Sequence, residues 1–255
     1  MRHDKAARAR PVTSTVEDYL QLIYKMIQEQ RPVLASRLAE RLNVSLPTVL
    51  ATIQRMTRDG LAVSDERRQI GLTPRGMALA EAMVRRQRLA ERLLVDVLGL
   101  EWAEAHTEAH MLEHAISPKV EARINALLHA PTTCPHGNPI PGNGAHPARD
   151  AVPIATGRPG DTFVVERLTE EAEGDPTLLA YLQRHRVMPG LRLTVTEVEP
   201  AAGMIAFEGE AGTVTLGLAV AEKVYGRRVK KGAESKAGSA RADGAAGARR
   251  ARAQG

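Results

Sequence analysis

The sequence predicts a mainly α-helical N-terminal part that opens with a winged helix-turn-helix, and a small β-barrel at the C-terminal end. Three observations predict it. Apolar residues recur at helical spacing through most of the first 130 positions. After Asp161 the texture changes to short apolar or alternating segments. A stretch rich in Pro, Gly and Asn, 131–160, lies between the two and reads as a linker. With 255 residues the chain has room for more than one folded unit, since domains run to about 100–150 residues.

Each element has its own signal. Ser14-Thr-Val-Glu17 reads as a capping box, and Val16, Tyr19, Leu20, Ile23, Tyr24 and Ile27 continue one helix face until Arg31-Pro32. Leu34, Leu38 and Leu42 mark a second helix that stops at Asn43. Ser45 is an N-cap, Pro47 sits in the first turn where no amide hydrogen is needed, and Val49, Ile53 and Met56 form the buried stripe up to Asp59-Gly60. Strands at 61–64 and 69–72 flank the charged turn Asp65-Glu-Arg-Arg68, which completes the winged helix-turn-helix. Thr73-Pro74 opens a long helix to about Leu98, broken by Gly99. Further helices run over 101–116 and from Ser117-Pro118 to about His129.

Beyond the linker, strands are expected at 162–168, 191–198, 203–208, 213–216 and 219–225, with a helix from Asp175 to about His185 after the first. Five short strands in this span fit a small barrel. From 227 onward the chain is Ala, Gly and Arg without apolar period and is expected to be disordered.

Charge narrows the function. The formal net charge is +5, but residues 227–255 hold nine basic and two acidic residues, and residues 1–13 hold four and one. The remaining body is acidic, yet its segment 31–76 carries eight Arg against four acidic residues. Basic charge concentrated in the tails and one module is the footprint of contact with a polyanion. Ser45, Pro47 and Thr48 stand where a recognition helix meets base edges and phosphates, and Pro47 and Thr48 suit thymine methyls. Arg37, Arg58 and Arg68 read as phosphate anchors. No apolar run approaches the roughly 20 residues of a membrane span, and no signal peptide is legible. One cysteine excludes an internal disulfide, so the expected location is the cytoplasm.

The segment His106 to His114 carries the chemistry. At about 100° per residue, His106, His110, Glu113 and His114 share one helix face about 100° wide, a donor set suited to a divalent transition metal. A metallohydrolase would need a positioned general base, and Glu108 points away from that face, so an enzyme is not expected. The competing reading is a winged-helix DNA-binding protein without metal sensing, which requires the convergence to be accidental. Cys134 with His136 offers a further thiol and imidazole, but a lone Cys-Pro-His in a linker reads as structural.

The chain resembles the diphtheria toxin repressor family of metal-dependent regulators, which includes iron-dependent repressors and manganese transport regulators. The resembling residues include Val16-Glu-Asp-Tyr-Leu20, Arg37-Leu-Ala-Glu-Arg-Leu42, Pro47-Thr-Val49, Arg58-Asp-Gly-Leu61, Arg88-Leu-Ala-Glu-Arg-Leu-Leu94, Glu113-His114 and Gly137-Asn-Pro-Ile-Pro-Gly142. They cover residues 16–142 in order, and the C-terminal part resembles the family's SH3-like domain more loosely.

The resemblance implies a homodimeric regulator, most naturally a repressor, whose binding to double-stranded operator DNA depends on a divalent metal. It implies a primary site of Asp18, His110, Glu113 and His114, with His110 departing from the Cys or Glu usual there. It implies an ancillary site at Glu91 and His106, with Gln87 in place of a usual histidine and Asp175 as the match for a barrel carboxylate. Arg88 and Asn138 match anion-holding positions, Cys134 stands in place of a serine, and Gln21 replaces a second-site glutamate of the manganese regulators. Because the primary set contains no sulfur, Mn2+ is the expected metal, with Fe2+ the alternative. The expected domains are a winged helix-turn-helix at 14–76, a helical metal-binding and dimerisation domain at 77–142, a linker at 143–160, an SH3-like domain at 161–226 and a basic tail at 227–255.

Overall fold

The computed structural model describes residues 12–144 and 146–229. The expected disordered tail falls, from 230 onward, outside the described residues; Arg227 and Arg228, which begin it, belong to a strand.

The N-terminal module contains α1 (Ser14–Gln28), α2 (Ala35–Leu42) and α3 (Leu46–Arg58), then β1 (Ala62–Ser64) and β2 (Ile70–Leu72) paired antiparallel as the wing. The turn between α2 and α3 is built from Asn43, which takes the left-handed conformation that closes a helix, and Ser45, whose hydroxyl accepts the Thr48 amide at 3.3 Å. Leu20, Ile23, Leu38, Val49 and Met56 are fully buried or nearly so and lock the three helices together. The capping box expected at Ser14–Glu17 does not form. Thr13 is the N-cap without a side-chain bond, because Glu17 turns instead to a histidine of another helix.

α4 (Pro74–Arg92) starts with the Thr73 hydroxyl accepting the Gly76 amide at 3.0 Å. Gly76 has no side chain because a Cβ there would overlap the Leu61 carbonyl, so α4 presses directly on the wing. The helix continues as a π-helical segment, Leu93–Val97, and ends near Gly99 with φ of 73°. α5 (Ala105–Glu113) is shorter than the expected 101–116. Residues 101–104 leave the helix because Trp102 and Ala103 are drawn into the barrel's core, with the Trp102 ring nitrogen donating to Pro135 O at 2.9 Å and the Ala103 amide to Gln183. α6 (Pro118–Leu127) follows, capped by Ser117.

The C-terminal part is a six-stranded antiparallel sheet of the SH3-like class. It comprises β3 (Ala151–Pro153), β4 (Thr162–Leu168), β5 (Arg192–Glu199), β6 (Met204–Gly209), β7 (Gly212–Gly217) and β8 (Val224–Arg228), in the order β3-β8-β4-β5-β6-β7. Register shifts at Val165/Arg167 and Val195/Glu197 bend β4 and β5 around the buried Phe163 and Phe207. Two helices, α7 (Glu170–Glu173) and α8 (Pro176–Arg184), follow β4. The segment read as a linker, 143–160, is partly structured: it supplies β3, paired to β8, and the 3-10 turn Ile154–Thr156. The strand expected at 219–225 is also different. Leu218–Ala221 makes a helical turn, α9, and the strand begins only at Val224; a short apolar run does not by itself distinguish helix from strand.

Candidate metal centres and nucleic-acid surface

Two clusters of ligand-type side chains exist among the described residues, each with its donor atoms within 4.8 Å of one another. The first joins Asp18 of α1 to His110, Glu113 and His114 on and just after α5. The His110 and His114 spacing follows from one helical turn; Asp18 arrives because α1 crosses the far end of the same helix. His110 Nδ1 lies 3.0 Å from Glu113 Oε1, and His114 Nε2 lies 3.3 Å from Asp18 Oδ1. Gln21 of α1 donates to Glu113 Oε1 at 2.6 Å. Glu113 is completely buried, yet its Oε2 has no hydrogen-bond partner, and neither has Asp18 Oδ1.

Two orphaned carboxylate oxygens beside two imidazoles are costly to bury unless a cation neutralises them. The titration behaviour agrees: burial pushes the Asp18 carboxyl up, and the Glu113 carboxylate holds the His110 imidazolium above its usual range. The donor set fits a divalent ion.

The second cluster joins Glu91 of α4, His106 of α5, His136 of the loop after α6, and Glu173 of α7. Glu91, His136 and Glu173 are 2% exposed or less. His106 Nδ1 contacts Glu91 Oε1 at 2.8 Å. His136 Nε2 lies 3.2 Å from the Trp102 carbonyl, which can only accept, so Nε2 carries the proton. The other nitrogen, Nδ1, then points a lone pair at Glu91 Oε2, 3.6 Å away, and at Glu173 Oε1, 4.0 Å away. Both His136 Nδ1 and Glu91 Oε2 lack a hydrogen-bond partner. Three acceptors facing one another need a cation or extra protons. In the metal-free chain protons serve: burial, with the charges of Glu170 and Glu91, pushes Glu173 up to about 7. Glu91 is also burdened by burial, but its bond to His106 and the neighbouring His136 ring outweigh that and hold it well below the usual range.

These positions differ from part of the expected set. Glu91 and His106 are together, as are the four residues of the first cluster. Asp175 is not with them: it is the exposed N-cap of α8, accepting the Leu178 amide at 3.0 Å. The barrel carboxylate in the cluster is Glu173, two positions earlier. Gln87 is also apart, its Oε1 taken by Lys25 Nζ at 2.7 Å. His136 supplies a second imidazole, although a Cys134-Pro-His136 run in a linker reads as structural. Cys134 is not one of the four, but its thiol donates to Glu173 Oε1 at 3.8 Å; burial raises that thiol well above the usual range and keeps it neutral. The signal that marks Glu173 is Thr169-Glu-Glu-Ala-Glu173, a capped acidic turn in which Thr169 accepts the Ala172 amide.

Arg88 and Asn138, expected to hold an external anion, are engaged from within, although the buried Nε of Arg88 has no partner. Arg88 Nη2 binds Glu170 Oε1 at 2.5 Å, and Lys25 Nζ meets the other oxygen of Glu170 at 2.9 Å. Asn138 donates to Glu173 Oε1 at 2.5 Å and to Leu168 O at 3.0 Å. Gly137, with φ of 90°, lets this loop lie against β4, where a Cβ would overlap the Glu166 carbonyl. A cavity of about 620 Å³ borders Asp18 and His110 of the first cluster, Lys25 and Gln87 between, and His106 of the second.

On the DNA-reading module, Arg37, Ser45, Pro47, Thr48, Arg58 and Arg68 are all exposed. Ser45 and Thr48 hydroxyls bond each other at 2.8 Å at the start of α3, and Arg68 sits at the wing turn with φ of 60°.

Comparison with known proteins agrees with this architecture. Residues 12–70 match the iron-dependent repressor N-terminal DNA-binding domain, residues 73–142 the iron-dependent repressor metal-binding and dimerisation domain, and residues 152–228 the FeoA domain. The iron-dependent repressor IdeR of Mycobacterium tuberculosis (strain ATCC 25618 / H37Rv) is 44% identical over 203 residues, covering 76% of this chain and 88% of the relative. The diphtheria toxin repressor of Corynebacterium diphtheriae is 40% identical over 166 residues, covering 62% and 74%. A solved structure of a manganese-dependent transcriptional repressor in complex with manganese superposes with a TM-score of 0.74 at 39% identity, covering 84% of this chain and all of that one.

Proposed function

The chain belongs to the iron-dependent repressor family and is a metal-dependent DNA-binding transcriptional regulator; from that premise we propose that Mn2+ is its co-effector, with Fe2+ the alternative, and that Asp18, His110, Glu113 and His114 hold the regulatory ion. The observation that carries this reading is the origin of the four donors. Asp18 belongs to the first helix of the DNA-reading module, and the other three to the end of a helix in the dimerisation domain. A bound ion supplies a cross-link between those two units. The chain's own residues prepare it: Gln21 and Glu17, both on α1, orient Glu113 and His114. Without the cross-link, the half-buried Asp18 and the buried Glu113 keep unmatched carboxylate oxygens, and the module is freer to turn.

In a two-fold dimer the orientation of the module sets the separation of the two recognition helices, which must match one DNA turn, roughly 34–36 Å. Oxygen and imidazole donors without sulfur favour Mn2+ by softness, although affinity order alone favours later metals. The relatives divide between iron and manganese in their names. We propose that the second cluster holds another ion, with His136 and Glu173 completing Glu91 and His106, and that Arg37, Ser45, Pro47, Thr48, Arg58 and Arg68 meet operator DNA. The proposed domain division places the reading module at 14–76, the metal-binding and dimerisation domain at 77–142 and the barrel after it.

The relatives are named repressors rather than enzymes, and no helix among the described residues is long and apolar enough to cross a membrane. The test is selection of duplexes from a random pool by the full chain, with Mn2+ or Fe2+ under anaerobic conditions and with EDTA. Recovery only with metal, lost in Asp18→Ala, is expected. Equal recovery in EDTA would overturn the switch.

A further inference from the structure

The first two turns of α3 expose a run of apolar side chains where a DNA-reading helix would be expected to carry hydrogen-bonding ones. Leu46 is 45% exposed and Leu50, one turn later, 47% exposed; the preceding Val44 is 37% exposed. Pro47 and Ala51 are exposed beside them. At about 100° per residue, Leu46, Leu50, Gln54, Pro47, Arg58 and Ala51 fall on one arc of about 140° that begins beside the buried stripe of Val49, Ile53 and Met56 and turns away from it. The hydroxyls of Ser45 and Thr48 are engaged with each other in the cap. In the first two turns nothing on this arc can donate to or accept from a base edge; Gln54 comes only in the third turn.

Exposed leucines one turn apart call for a partner that covers them. The charge around them identifies it. Arg55, Arg58, Arg67 and Arg68, all exposed, lie on the same small module, and Arg58 shares a groove with Leu50. A surface that is cationic at its rim and apolar at its centre complements the major groove, whose rim is phosphate and whose apolar feature is the thymine C5-methyl.

We infer that Leu46 and Leu50 are specificity-determining residues that read thymine methyl groups. The inference rests on the family reading above and deepens it by naming the base feature recognised. Removing one methyl from contact costs about fourfold in affinity, taking a methylene's burial as the measure.

The experiment uses the full chain with Mn2+ and duplexes recovered from a random pool. The recovered consensus is synthesised twice, once with thymidine and once with deoxyuridine, which lacks only the methyl. The expected result is a consensus with thymines in each half-site, weaker binding by about fourfold per methyl removed, and a thymidine-to-deoxyuridine ratio that shrinks towards one in Leu50→Ala and in Leu46→Ala. Both substitutions are at exposed positions, so the fold is retained, and unchanged Mn2+ affinity checks it. Equal affinity for the two duplexes, or an undiminished ratio in both variants, would overturn the inference. A change of oligomeric state in Leu50→Ala with unaltered DNA affinity would assign the face to a second copy and overturn it too. If no duplex is recovered with metal, the family reading fails and takes this inference with it; recovery of duplexes indifferent to the methyl removes the inference alone.

Discussion

Glu17 Oε2 lies 2.8 Å from Nδ1 of His114, while the next residue of the same helix, Asp18, lies 3.3 Å from Nε2 of that ring. Adjacent carboxylates of α1 therefore address both nitrogens of one imidazole. Nδ1–H donates to Glu17, which leaves the Nε2 lone pair aimed into the cluster. A carboxylate behind a ligating histidine fixes its tautomer and raises its basicity, and losing it costs about 10–100-fold in metal affinity. Glu17→Gln should lower Mn2+ affinity by that order, read by calorimetry, and leave the urea midpoint in chelator nearly unchanged. Loss of stability without loss of affinity would show Glu17 to be a structural partner only.

The barrel is held to the helical domains by a buried ion triad, Lys25, Glu170 and Arg88. Burial opposes the charge on Glu170, but the two cations outweigh it and lower its carboxyl to about 2. Removing the anion strands two buried cations, and breaking a buried pair in this way costs about 3–5 kcal/mol. Glu170→Ala should show a loss of that size in urea unfolding of the metal-free chain. A change under about 1 kcal/mol would mean that water reaches the triad.

The second cluster predicts a proton signature. Glu173 has its carboxyl raised from 4.5 to about 7, so the fold favours its neutral form. That contribution to metal-free stability is complete below about 4.5 and is lost as pH rises through about 7. Metal needs the carboxylate, so binding there should release a proton at pH below about 7 and weaken as pH falls. Calorimetry in buffers of different ionisation enthalpy counts the released protons. Glu173→Gln should abolish the release and take one metal per chain from the stoichiometry. An unchanged metal count in that variant would exclude Glu173 as a ligand.

Much of this was legible in the residues, and the remainder has a physical reason. The winged helix-turn-helix follows local rules: Ser45 caps, Asn43 closes, Val49 and Met56 face inward. His110, Glu113 and His114 share a face because a helix repeats every 3.6 residues. Asp18 required the resemblance, since no local pattern brings α1 to the end of α5. His136 and Glu173 are 37 positions apart and meet only because the loop at Gly137 rests on β4. Glu17 illustrates the opposite error. Its spacing from Ser14 satisfies a capping rule, yet a histidine from another helix outcompetes the local amide. Asp175 shows the same limit, where the family match fell on a residue whose carboxylate is occupied in capping α8.

The helix that carries the metal face also carries the most exposed large apolar side chain among the described residues, Met111, at 73%. Val97, Leu98, Leu112, Val120 and Leu127 are exposed as well, and all lie within the span matched to the metal-binding and dimerisation domain. Met111 follows His110 directly, so about 100° of rotation separates this exposed apolar side of α5, which we propose faces the dimer partner, from His110. Burying a methionine contributes about 1.5–3 kcal/mol, and a two-fold interface counts it twice, so Met111→Glu should weaken self-association by about 10²–10⁴-fold. Sedimentation should show this variant at the 27.6 kDa monomer mass at concentrations where the native chain is dimeric. Calorimetry should show Mn2+ still binding, because Asp18, His110, Glu113 and His114 come from one chain. Duplex affinity should fall steeply even with metal, since two recognition helices no longer arrive as a pair. Full duplex affinity in a monomeric variant would mean that one reading module suffices, and the metal cross-link would then have to act within a single chain.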